Sequence, residues 1–180
     1  MILNPFVFFC QISLIIVFSI SSLGKFSQLD LFQSAIISFK IIPRSWTRPI
    51  SYIFLATEIG IVLLCIVGGF ATLIGFNIAL ILLSSFSVAL FSVLFRNLSV
   101  ACNCFGSSES IVTRFDLVRN LGLILCCLFG IWGYLYGSTI FLSLPNIMIV
   151  FMLSTICVTM VLNLKDLFEI FRKPISLNIE

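Results

Sequence analysis

The sequence predicts an all-α protein: a polytopic transmembrane helix bundle of five spans, with four as the runner-up, and one amphipathic helix at the membrane interface. Three observations predict it. Of 180 residues, 61% are hydrophobic and only 9% charged, whereas soluble domains carry roughly a quarter charged residues. Such a chain cannot solvate its own surface in water. Its apolar residues fall into five runs that each approach the ~20 residues needed to cross a bilayer as a helix. Finally, all ten basic residues lie in or beside alternate connections between those runs.

The first run covers residues 6–24, carries no charge and ends at Lys25. A cleaved signal peptide is the other reading of such a run, but no basic residue precedes it and no small-x-small site follows. Residues 25–49 are mixed. Leu29, Phe32, Ile36 and Phe39 recur at helical spacing with Asp30, Gln33, Ser34 and Lys40 between them, the pattern of a helix lying in the interface. Pro43 stops that helix, and Arg44, Trp46 and Arg48 read as anchors at headgroup level.

Residues 50–68 make the second span, Gly68-Gly69 a tight turn, and residues 71–95 the third. A polar segment of about 96–116 follows. Residues 117–136 make the fourth span and residues 139–163 the fifth, with Pro145 near its start. The whole chain, 1–180, reads as a single membrane domain.

The basic residues then share one side. Lys25, Lys40, Arg44 and Arg48 fall in the first connection, Arg96, Arg114 and Arg119 around the third, and Lys165, Arg172 and Lys173 in the tail. The positive-inside rule places that side in the cytoplasm and the N-terminus outside. A bacterial cytoplasmic (inner) membrane is the simplest location, with the lipid bilayer as the first partner. No long basic run suggests nucleic acid. The absence of histidine removes the commonest general base and the commonest zinc and haem ligand.

Of seven cysteines, Cys10, Cys65, Cys126, Cys127 and Cys157 lie inside apolar runs, where a thiol ordinarily serves as a small hydrophobe. Cys102 and Cys104 differ. The segment Cys102-Asn103-Cys104-Phe105-Gly106 sits between the third and fourth spans, within reach of reagents. Thiol–disulfide exchange needs a thiolate, a partner sulfur and access, and a Cys-x-Cys pair supplies two thiols in a minimal ring. Arg96, Arg114 and Arg119 bracket it and would favour the thiolate if close. Phe105 would seat the loop on the bilayer, and Gly106 permits an unusual backbone angle. Inert thiols and metal binding are the other readings, though without histidine no further metal ligand is evident and no metal site is expected.

Glu58 lies in the middle of the second span, where an ionised carboxylate is costly unless it is protonated, paired or facing a polar cavity. It reads as a buried acid that relays protons, or as a packing contact to Asn77, Lys25 or Arg119. Asn77, Asn97 and Asn120 suit interhelical hydrogen bonds. Arg119-Asn120 opens the fourth span, where it would lock the cysteine loop to the bundle.

In order, Ser22-Leu23-Gly24-Lys25-Phe26, Ile42-Pro43, Glu58-Ile59-Gly60, Cys102-Asn103-Cys104-Phe105-Gly106 and Arg119-Asn120 make a pattern that resembles the MauE family, related to the wider DoxX-like group, over about residues 6–165. The resemblance implies an inner-membrane protein needed to mature a disulfide-rich exported subunit, the methylamine dehydrogenase light chain, by processing, transport or disulfide formation. It implies Cys102 and Cys104 as a redox pair and Glu58 as the buried acid. Lys25, Phe105, Gly106, Arg119 and Asn120 would support the site. No bound cofactor is expected. The partners would be an exported cysteine-containing client and a thioredoxin-like protein or a quinone. Two rival roles are a non-enzymatic assembly factor for an exported precursor and a quinone-interacting oxidoreductase subunit, the latter requiring a quinone-sized pocket near Glu58. The client is exported, whereas the charge pattern puts the cysteine loop inside.

Overall fold

The computed structural model describes residues 2–3, 5–38, 43–96, 114–137, 140–141 and 144–164. Five of its helices are long and apolar enough to cross a membrane. They are α1 (Pro5–Ser27), α3 (Arg44–Val67), α4 (Phe70–Phe95), α5 (Arg114–Tyr136) and α6 (Leu144–Leu162); the shorter α2 (Leu29–Ser38) connects the first two. The protein is a helical membrane bundle.

The observed boundaries follow local chemistry. The chain leaves α2 and re-enters helix after Pro43, whose φ of −60° and ψ of 144° set an extended entry. Helix α3 thus begins six residues before the expected span, so Trp46 and Arg48 stand exposed on its first turns rather than in a loop. The α3–α4 turn rests on Gly68 and Gly69, at φ of 80° and 59°, a region only glycine enters freely. Helix α6 starts later than expected because Ile140–Phe141 (β2) is used as a short strand. It pairs antiparallel with Ile2–Leu3 (β1), with Ile2 opposite Phe141 and Leu3 opposite Ile140. That clasp holds the start of α1 and the α5–α6 connection at the same end of the bundle.

Four spans close a ring: α1 packs on α3, α3 on α4, α4 on α5 and α5 on α1, while α6 lies outside against α1. Helix α1 is therefore the inner helix, with 56% of its span buried against 11–28% for the others. Its buried face carries Leu14, Val17 and Phe18 into the main core, where Ile61, Phe76, Ala79 and Leu123 meet them. Large apolar side chains such as Leu63, Ile81, Leu125 and Phe151 point outward, as lipid permits and water would not. Gly130 lets α5 approach α4, because a Cβ there would fall 2.8 Å from the Phe76 ring. Helix α2 buries Phe32, Ala35 and Ile36 and leaves Asp30 and Ser34 exposed, the one-sided pattern of an interfacial helix.

Candidate functional site

The site begins with an ion pair between α1 and α3. Lys25 lies in the last turn of α1, and 5% of its surface is exposed; Glu58 is 2% exposed. The ammonium donates to Glu58 Oε1, and Ser21 Oγ donates to the same oxygen at 3.1 Å. Ser21 and Lys25 are one helical turn apart, so both reach the same carboxylate. The Lys25 ammonium also sits 5.1 Å from the ring centroid of Phe32 on α2, a cation–π contact. Phe32 and Ile36 pack in turn on Phe54 of α3 and Phe86 of α4. Helix α2 thus covers this pair from the basic end of the bundle.

Expulsion of water makes each charge dependent on the other, because an unpaired buried charge costs several kcal/mol. Lys25 reaches the pair because α1 continues to Ser27, past the expected end of the first span. The long stem of lysine turns its head inward instead of toward the interface. Of the three partners considered for Glu58, Lys25 is the one that meets it. Asn77 donates within its own helix to the Leu73 carbonyl at 2.8 Å, and Arg119 pairs with Asp116 at 3.3 Å.

Glu58 Oε2 is buried and has no hydrogen-bond partner among the described residues. Glu58 lines a cavity of ≈ 30 Å³ with Ser21, Lys25, Phe54, Phe86 and Asn120, where α1, α3, α4 and α5 converge. That volume admits a water molecule, which requires roughly 10–15 Å³ by this measure. A quinone ring would require the helices to part. Asn120 walls the cavity from α5. Its Nδ2 donates to the Leu83 carbonyl at 3.2 Å and to Ser87 Oγ at 2.9 Å. Asn120 therefore ties α5 to α4.

Three of the residues singled out in the sequence, Lys25, Glu58 and Asn120, thus meet around one cavity. Cys102, Cys104, Phe105 and Gly106 lie outside the described residues. Their segment joins Phe95 at the end of α4 to Arg114 at the start of α5, and both helices wall the cavity. Sequence reasoning missed Ser21, Phe32 and Ser87. Spacing held the signal for the first: Ser21 stands four residues before Lys25 on a face that also buries Phe18 and Ser22.

A ring of four spans around a buried lysine–carboxylate pair, closed by an interfacial helix at the basic end, defines a multi-pass membrane protein with a polar centre. The family model described as methylamine utilisation protein MauE matches residues 3–133, and the chain belongs to that family. The matched segment takes in nearly all of the ring and stops before α6, short of the 6–165 that the motifs implied. No curated protein and no solved structure gives a significant match.

Proposed function

We propose that this MauE-family membrane protein carries out thiol–disulfide exchange in support of an exported, cysteine-containing client. Cys102 and Cys104 cycle between disulfide and dithiol. A client dithiol is oxidised as its two sulfurs join; the Cys102–Cys104 bond breaks and takes up the two electrons and two protons. A thioredoxin-like disulfide or a quinone then restores the loop disulfide and is itself reduced. Methylamine dehydrogenase light chain is the client type that the family suggests, and the bacterial inner membrane is the corresponding location.

The observation that carries this reading is the position of the cysteine segment within a family-matched chain. It links α4 and α5, the two helices that present Asn120, Leu83 and Phe86 to the cavity holding Glu58. Glu58 keeps one carboxylate oxygen without a hydrogen-bond partner among the described residues, beside room for a water. That arrangement suits a group that accepts and returns the protons of thiol oxidation.

The test is the double substitution Cys102→Ala with Cys104→Ala, read on the client. Client disulfides and client activity are expected to fall together, with the membrane protein still present at its normal level. Undiminished client disulfides would overturn the reading. Client binding that survives while maturation also survives would instead support the non-enzymatic assembly role. Sided labelling with an impermeant maleimide, before and after reduction, reports the face on which the pair works.

A further inference from the structure

One face of α4 is turned to lipid along its whole length. From Phe70 to Phe95 its exposed residues recur at alternating steps of four and three, the heptad spacing of a helix–helix seam. Ser85 is the one exposed residue of α4 off that stripe, and its hydroxyl donates to the Ile81 carbonyl of its own helix at 2.8 Å. The apolar members of the stripe need no partner, because lipid tails are as apolar as they are. Asn77 is different.

The 26 residues of α4 span about 39 Å. Asn77 lies about 8 Å from the midpoint, inside the ~15 Å half-thickness of the hydrocarbon core. Its Nδ2 donates to the Leu73 carbonyl at 2.8 Å, while its Oδ1 accepts from no other described residue. Lipid offers it no donor. The other carboxamides deep in the spans turn inward: Gln11 donates to the Cys65 carbonyl and Asn120 to Leu83 and Ser87. Asn77 is exposed on the outer face, and Ser84 follows it one heptad on, also exposed and nearer the bilayer centre.

We propose that this stripe is the seam of a homodimer, in which α4 packs against α4 of a second copy about a two-fold axis along the bilayer normal. Identical chains inserted in one direction hold these helices parallel, so each residue of the stripe meets its own counterpart. The occupant follows from hydrogen-bond complementarity. A carboxamide carries both donors and an acceptor, so two copies of Asn77 satisfy each other, each N–H donating to the other's Oδ1. A different membrane protein would have to bring a donor and an acceptor to the same depth, whereas a second copy brings both by symmetry. Ile74, Ile81 and Val88 fill the alternate row of the seam, where β-branched side chains suit two strands. The paired amides fix the register, as a single polar layer does in a coiled coil. The seam lies on the outer face of α4, so this proposal is independent of the cysteine loop and of Glu58.

The test is sedimentation equilibrium of the full-length chain in density-matched detergent micelles, under reducing conditions so that no disulfide contributes. The expected result is a reversible monomer–dimer equilibrium, weakened about tenfold by Asn77→Leu through loss of two hydrogen bonds in lipid, and largely restored by Asn77→Gln. A monomer at every concentration, or an Asn77→Leu dimer as strong as the parent, would overturn the proposal. A second measurement leaves Asn77 in place and so does not depend on how that variant folds. The chain carrying Ile81→Cys and Cys157→Ala would be oxidised with copper phenanthroline in native membranes, beside a chain carrying Leu63→Cys, on the exposed face of α3, and Cys157→Ala. Peptide mapping should join position 81 of one copy to position 81 of another, with no such link at position 63. Equal linkage at position 63, no linkage at position 81, or linkage of position 81 to a different protein would each overturn it.

Discussion

Toward the basic end of the bundle, α1 contributes Ser21 and Lys25 to a carboxylate on α3, and α2 lays an aromatic ring over the ammonium. Toward the other end the same helix contributes Cys10, Gln11 and Ser13, all uncharged. Gln11 Nε2 donates to the Cys65 carbonyl at 2.6 Å, and Ser13 and Ser154 share a hydrogen bond of 2.8 Å. About 22 Å of helix separates Cys10 from Lys25. The contrast shows two ways of joining helices in lipid. A charged pair fixes two helices strongly but leaves a large liability if one partner is lost. Neutral side-chain bonds average about 0.6 kcal/mol each in membrane proteins, so several are needed and none is critical.

The largest expected effect breaks the charged half. Glu58→Leu strands Lys25 in the core and should cost about 3–5 kcal/mol, visible as loss of folded protein in a detergent thermal melt. Adding Lys25→Met should recover much of that loss; a double variant no better than Glu58→Leu alone would mean that the pair does not act as a unit. Next comes Gly130→Ala, which pushes a methyl into the Phe76 ring and should cost about 1–3 kcal/mol. Equilibrium unfolding in SDS would measure it, and Gly130→Ala with Phe76→Leu should be milder. Asn120→Leu removes both bonds to α4 and should cost about 1 kcal/mol, with protease sensitivity rising at the α4–α5 junction. The smallest is Ser13→Ala. It should cost about 0.6 kcal/mol, read as a slight fall in the SDS unfolding midpoint, and a loss comparable to that of Glu58→Leu would erase the contrast between the halves.

The fold was legible because lipid imposes a simple code. Five apolar runs and the Gly68-Gly69 turn sufficed for the spans. Boundaries were less legible. Arg44-Ser45-Trp46-Thr47-Arg48 is polar by composition yet helical, since nothing in it breaks a helix after Pro43. Ile140-Phe141 reads as the start of a span, and only its pairing with Ile2-Leu3, at the far end of the sequence, makes it a strand. For the site, the cost of burying Glu58 announced that a partner existed, and Lys25 was among the candidates. Hydropathy could not choose it, because the choice depends on how far α1 continues before the chain turns. The approach of Ser13 to Ser154 is a matter of helix register, which no local pattern encodes.

The clasp between Ile2-Leu3 and Ile140-Phe141 bears on how the protein is made. A chain synthesised from its N-terminus delivers α1 first, yet the strand that clasps the start of α1 and the helix that supplies Ser154 are delivered last. Throughout translation of the four-span ring, the Ser13 face of α1 waits without its partner. Completion of the clasped end of the bundle is therefore a late, long-range event, and a nascent chain released before α6 leaves the exit channel would hold its inner helix half covered.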